Sequence, residues 1–163
     1  MAFEKYVKNN MKRAYYSAFG ILGSHDAAME ISQDAFIKAY RNFKTFDRKK
    51  SFFTWYYTIL RNLCLNFIRD SKNQNTTSFL DQIELKDSKY TSDDIELKEE
   101  RKIIWNALQQ MEFDDREIII LKEFENLSYE EISDTLKIPK GTVMSRLYYA
   151  RKKLAKKLEV LKR

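Results

Sequence analysis

Leu127-Ser128-Tyr129-Glu130-Glu131-Ile132, followed at Ile138-Pro139-Lys140-Gly141-Thr142-Val143 by a segment crowded with Arg and Lys, decides how this chain is read. Ser128 with Glu131 three positions on has the spacing of a capping box. Hydroxyl and carboxylate then each satisfy an orphan N–H of the first turn, and a helix begins there. Ile132 and Leu136, four apart, give that short helix one apolar face. Pro139 suits the first turn of the next helix, where an N–H would lack a partner anyway. Gly141 is expected where two helices approach closely. From Lys140 to Arg163 nine Lys and Arg accompany a single acidic residue, Glu159. A capped helix, a tight turn and a positive helix describe a helix-turn-helix whose second helix can enter a DNA groove. A solvated amphipathic terminal helix would explain the charge but not the turn before it.

Charge is unevenly distributed. Residues 1–70 carry net +6, residues 71–100 and 101–139 carry −4 each, and residues 140–163 carry +8. The overall +6 thus conceals two basic zones around an acidic middle. Two positive surfaces on one small protein suit a long polyanion touched twice. The acidic middle is placed to shield the basic parts from each other or from non-specific DNA.

The chain has 163 residues, one Cys (Cys64) and one His (His25). A disulfide framework is excluded, and nothing has the spacing of a metal site; no metal or cofactor is expected. The N-terminus, Met1-Ala2-Phe3-Glu4-Lys5, opens no apolar run, and no segment approaches the ~20 apolar residues that span a bilayer. A cytoplasmic protein with no membrane insertion of its own is expected.

Three Gly and one Pro leave few turn signals for a sheet, while apolar residues recur at three- and four-residue spacing. The fold class is all-α. Helices are expected near residues 3–22, 25–43, 50–70, 94–111, 114–125, 128–136 and 140–160, with starts around Ser24-Asp26 and Asp47–Ser51. Residues 71–93 lose the periodicity and turn polar, as a flexible linker does, with a short docked segment around Phe79, Leu80 and Ile83. Two small helical domains, 1–70 and 94–163, follow; a unit of that size is only marginally stable alone.

Phe52-Phe53-Thr54-Trp55-Tyr56-Tyr57 sets five aromatics in six positions. At about 100° per residue, Phe52, Tyr56, Ile59, Leu63 and Phe67 share one face, which belongs to the core. Thr54, Tyr57, Thr58, Arg61 and Leu65 face away, and Trp55, Asn62 and Asn66 lie on the boundary. Tyr, Arg and Asn beside Arg48-Lys49-Lys50 are side chains that single-stranded nucleic acid uses for stacking, base-edge bonding and phosphate neutralisation. A half-buried Trp with two satisfied Asn is the plainer explanation of the same stripe.

Taken together, these residues resemble bacterial RNA polymerase sigma factors of the extracytoplasmic-function class, a branch of the sigma-70 family, along nearly the whole chain. Gln33-Asp34-Ala35-Phe36, Ala39-Tyr40-Arg41, Phe52, Thr54-Trp55, Ile59 and Arg61-Asn62-Leu63 look like the family's second conserved region. Leu127 to Ile132, Ile138-Pro139 through Ser145-Arg146-Leu147, and Ala150-Arg151 look like its fourth.

The resemblance implies roles for particular residues. Gln33, Asp34, Ile37, Lys38 and Arg41 would grip the clamp helices of the polymerase β′ subunit, with the β flap as a further core contact. Arg48, Lys49, Lys50, Phe52, Trp55, Tyr57, Arg61, Asn62 and Asn66 would hold the melted −10 element, with a base flipped from the stack. Lys140, Thr142, Met144, Ser145, Arg146, Tyr148, Tyr149, Arg151 and Lys152 would read the −35 element in the major groove or hold its phosphates. An anti-sigma factor is expected to wedge between the domains, covering the Gln33–Arg41 helix and the Lys140–Arg151 face. Met144, Tyr149, Phe53 and Thr58 stand where relatives often carry basic residues, so the promoter sequence is not inherited by analogy.

Two rivals are weighed. A polymerase-independent helix-turn-helix regulator explains residues 94–163 but gives the Gln33–Arg41 helix no purpose. An enzyme would need converging catalytic groups. Glu130 and Glu131, neighbours on a helix, diverge by about 100° and cannot share a metal. The expectation is a binding protein, not an enzyme.

Overall fold

Seven α-helices make up the fold in a computed structural model, which describes residues 2–73 and 92–162. They are α1 (Ala2–Leu22), α2 (His25–Arg41), α3 (Phe52–Asn73), α4 (Ser92–Gln109), α5 (Phe113–Ile119), α6 (Tyr129–Leu136) and α7 (Lys140–Leu161). No strand occurs among the described residues. The expected linker at 71–93 is corrected at its edges, because residues 71–73 continue α3 and α4 begins at Ser92. The remainder of it, with the segment around Phe79, Leu80 and Ile83, lies outside the described residues.

Local signals explain the boundaries. Ser24 caps α2 by accepting from the Ala27 N–H at 3.2 Å. Gly23, at φ +72°, ends α1 in a left-handed turn and sends its N–H to the Phe19 carbonyl at 2.7 Å. Before α3, the Asp47 carboxylate accepts from the Lys49 N–H at 3.0 Å and its carbonyl from the Lys50 N–H at 2.9 Å. After α5 the chain widens into a π-helical turn over Ile120–Phe124, closed by the Glu125 N–H on the Ile120 carbonyl at 3.0 Å.

Helices α1 to α3 form one unit around an aromatic core. Tyr6 stacks on Phe52 with ring centres 4.6 Å apart, and Phe36 on Tyr56 at 4.4 Å. Tyr56 is fully buried and donates its hydroxyl proton to the Ser32 carbonyl at 3.0 Å. The second unit closes α5 and α6 onto α7 through Ile118, Leu121, Ile132, Val143, Leu147 and Ala150, all buried.

The two units are packed together. Phe19 on α1 meets Trp105 on α4 edge-to-face at 5.2 Å, and Gln109 donates its side-chain N–H to the Gly20 carbonyl at 2.7 Å. Gly20 permits this approach, since a Cβ there would stand 2.6 Å from Ile120 Cδ1. A single apolar core therefore runs through both units.

Candidate nucleic-acid and polymerase interface

In the helix-turn-helix, the capping box forms as the spacing requires. Ser128 Oγ accepts from the Glu131 N–H and the Glu131 carboxylate from the Ser128 N–H, both at 3.1 Å. Lys137 takes a left-handed φ of 57° to end α6, and Pro139, in extended backbone, stands at the N-cap position just before α7 rather than in its first turn. Lys140, Met144, Ser145, Tyr148, Tyr149, Arg151 and Lys152 are exposed along α7, while Thr142 and Arg146 are half-buried. Tyr148 and Tyr149 meet edge-to-face at 5.3 Å, and the Lys152 ammonium lies 4.6 Å from the Tyr148 ring centre. Gly141 corrects an expectation: a Cβ there would meet nothing within 4 Å, so no helix approaches it.

Gln33, Asp34, Ile37, Lys38 and Arg41 are all exposed on α2. The spacing of 33, 37 and 41 forms one stripe because the intervening Ala35, Phe36 and Ala39 turn inward and are buried. Sequence reasoning missed how far the apolar surface extends. Ile37 is 52% exposed, and Tyr40 and Met11 are 56% exposed each. Tyr40 and Met11 line a groove of about 880 Å³ with Phe3, Val7, Lys5 and Lys8. Exposed large apolar side chains at this spacing on α1 and α2 would have signalled it.

The α3 residues divide. Arg48, Lys49 and Lys50 are exposed on the preceding turn, and Asn62 and Asn66 form an exposed stripe. Trp55 is half-buried against Phe46 at 5.1 Å and Phe52 at 5.7 Å. Phe52 is 5% exposed, held in the aromatic core, which corrects its assignment to the nucleic-acid face. Tyr57, read as outward-facing, is fully buried and donates its hydroxyl proton to Glu117 at 2.6 Å. Arg61 Nε donates to the same carboxylate oxygen at 2.6 Å. Tyr57 thus turns toward the C-terminal unit, which covers it.

These bonds shape the electrostatics. Burial, reinforced by the Glu117 carboxylate, holds the Tyr57 hydroxyl protonated far above its ordinary range. For Arg61 burial opposes the charge, yet its bond to Glu117 outweighs this and raises its pKa. The acidic segment pairs with two cations of each basic zone, through Glu117–Arg61 and Glu125–Arg13 on one side and Glu123–Arg151 and Asp115–Lys153 on the other. Phe19, Trp105 and Ile120 pack together where the two units meet.

No described helix is long and apolar enough to cross a membrane. Among the described residues no cluster of His, Cys, Asp and Glu is arranged to hold a metal ion.

Residues 6–74 match the family model for sigma-70 region 2, and residues 101–154 match that for sigma-70 region 4. The chain is 34% identical to the RNA polymerase sigma-H factor of Pseudomonas aeruginosa, over 85% of this chain and 78% of that protein. It is 33% identical to the ECF RNA polymerase sigma-E factor of Escherichia coli, over 81% of this chain and 74% of that one. Among solved structures it is similar to the sigma factor RpoE in complex with the anti-sigma factor NepR from Bartonella quintana. That match has a TM-score of 0.79 and 26% identity, and covers 98% of both chains. With both regions matched in this order and the exposed α7 behind a capped α6, the chain belongs to the sigma-70 family and is a promoter-recognising RNA polymerase sigma factor of the extracytoplasmic-function class.

Proposed function

We propose that three faces divide the work of transcription initiation. The α2 stripe of Gln33, Asp34, Ile37, Lys38 and Arg41, extended by Tyr40 and Met11, docks on the clamp helices of core polymerase. Arg48, Lys49, Lys50, Trp55, Asn62 and Asn66 engage the melted −10 strand. In the −35 major groove, Lys140, Ser145, Tyr148 and Tyr149 meet base edges or phosphates, and Met144 offers an apolar contact for a thymine methyl group. The protein acts by binding rather than by catalysis, in the cytoplasm where polymerase and promoter DNA are. By likeness to RpoE in its complex with NepR, an anti-sigma factor is a further partner.

The observation that carries this reading is the pair of exposed rows on separate helices, one on α2 and one on α7. A regulator working without polymerase needs only the second. Run-off transcription with core polymerase tests the division. Ile37→Ala should weaken core binding while the chain stays folded, and Tyr149→Ala should spare core binding and lower promoter selectivity. Unchanged transcription in both would remove the assignment.

A further inference from the structure

Arg116, on α5, is a deeply buried cation that no carboxylate among the described residues pairs with. It is 8% exposed, and its Nε is sealed off without an acceptor. Its one hydrogen bond among those residues is a long one, from Nη1 to the Met111 carbonyl at 3.4 Å. Arg13 and Arg61 are more exposed, yet each holds a carboxylate oxygen, at 2.7 Å and 2.6 Å. The Phe113 ring, 5.8 Å from the Arg116 guanidinium carbon, offers only a distant cation–π contact. Burial pulls the Arg116 pKa below the ordinary arginine range, and the neighbouring Glu117 charge offsets this only in part. A charge so placed is costly unless an anion meets it.

Arg116 lines a cavity of about 230 Å³. Ile21 and Leu22, at the end of α1, and Phe67 and Ile68, on α3, supply its apolar walls, and Lys72 adds a second cation. No residue of the three faces assigned above belongs to it.

We propose that this cavity is a binding site for a small monocarboxylate with an apolar body, its carboxylate on Arg116 and its hydrocarbon against Ile21, Leu22, Phe67 and Ile68. A planar guanidinium matches a carboxylate through parallel N–H bonds. Mostly apolar walls around one or two cations select an amphipathic anion over a bare one. The volume has room for a single ring or a short chain.

The test uses the full chain, with benzoate and hexanoate as probes in calorimetry and two-dimensional NMR. At least one should bind at a single site with a Kd of about 1 mM or tighter, and shift the amide signals of Ile21, Phe67, Ile68 and Arg116. Benzamide has the ring without the charge, and inorganic phosphate the charge without the ring. Each should bind about tenfold or more weakly than benzoate. Arg116→Met keeps the apolar stem and removes the unpaired charge, so it should fold, by circular dichroism, and lose carboxylate binding about tenfold or more. Should that variant fail to fold, Ile68→Trp decides instead, because it fills the cavity without touching the guanidinium and should abolish binding. Absence of saturable binding by both carboxylates, benzamide or phosphate binding as tightly, signal shifts confined to other surfaces, or wild-type affinity in either folded variant would each overturn the proposal.

Discussion

The guanidinium carbon of Arg13 lies 3.9 Å from the centre of the Phe53 ring while its Nε donates to Glu125 at 2.7 Å. One planar group thus stacks within its own unit and bonds across to the other. Lysine keeps the charge but has neither the flat face nor the directed N–H. Arg13→Lys should lower stability by about 1–2 kcal/mol, measured by urea unfolding. Equal midpoints for the two proteins would mean that charge alone matters there.

Asn62 and Trp55 should separate function from folding. Asn62 is exposed, so Asn62→Ala should leave the melting temperature unchanged while open-complex formation falls. Trp55, packed on Phe46 and Phe52, should cost on the order of 3 kcal/mol when truncated to Ala. A comparable loss of stability in Asn62→Ala would make that residue structural.

The glycines should behave oppositely. Gly141→Ala meets open space in the first turn of α7 and should be neutral or stabilising by up to about 1 kcal/mol. Gly23→Ala must hold φ +72° with the Gln109 side chain 2.6 Å from its new Cβ. It should destabilise by at least about 1 kcal/mol. Thermal unfolding of the pair decides this.

Removing the capping hydroxyl, Ser128→Ala, should cost about 1 kcal/mol and loosen α6, with a matching loss of −35 binding. Binding lost without any change in unfolding would point to direct contact of Ser128 with DNA instead.

Alkaline pH should weaken the fold through α3. Burial, with the Glu117 carboxylate adding to it, pushes the Cys64 thiol from its ordinary 9.0 up to about 12. The folded chain then keeps a proton that the unfolded chain has released. This contribution is complete below pH 9 and is lost as pH rises through about 12. Tyr56 and Tyr57, also raised by burial, act in the same direction. Cys64→Ala should show a shallower fall of stability with pH across that range; an identical slope would remove Cys64 as a contributor.

Each described α-helix was legible in the sequence, though not the 3-10 turn at Phe43–Thr45 or the π turn at Ile120–Phe124, because burial imposes a three- and four-residue rhythm, and caps such as Ser24 and Ser128 mark where it starts. The exposed stripe of α2 was legible for the same reason. What periodicity does not carry is the identity of the surface opposite. Tyr57 was placed at the correct angle, away from its own unit's core, yet that side is buried by residues sixty positions on. Glu117 and Glu125 carry no mark in the sequence, since no local pattern distinguishes a carboxylate whose donors lie on another unit. Gly20 gave no signal, because a glycine needed for close packing is indistinguishable in sequence from one needed for a turn.

The π-helical turn at Ile120–Phe124 sets a rotational phase. Glu117 and Glu125 are eight residues apart, which in a regular α-helix leaves their directions about 80° apart. Hydrogen bonding from Glu125 back five residues to Ile120 spends one extra residue on that turn. Eight residues then sweep roughly the angle that seven would, and the offset shrinks to about 20° in the opposite sense. Both carboxylates consequently point toward α1 and α3 from one side of the same short segment. Straightening that turn into a regular α-helix with every residue kept would preserve the composition, the charge and the helicity, yet turn one anion away from its cation like a key cut one notch out of step.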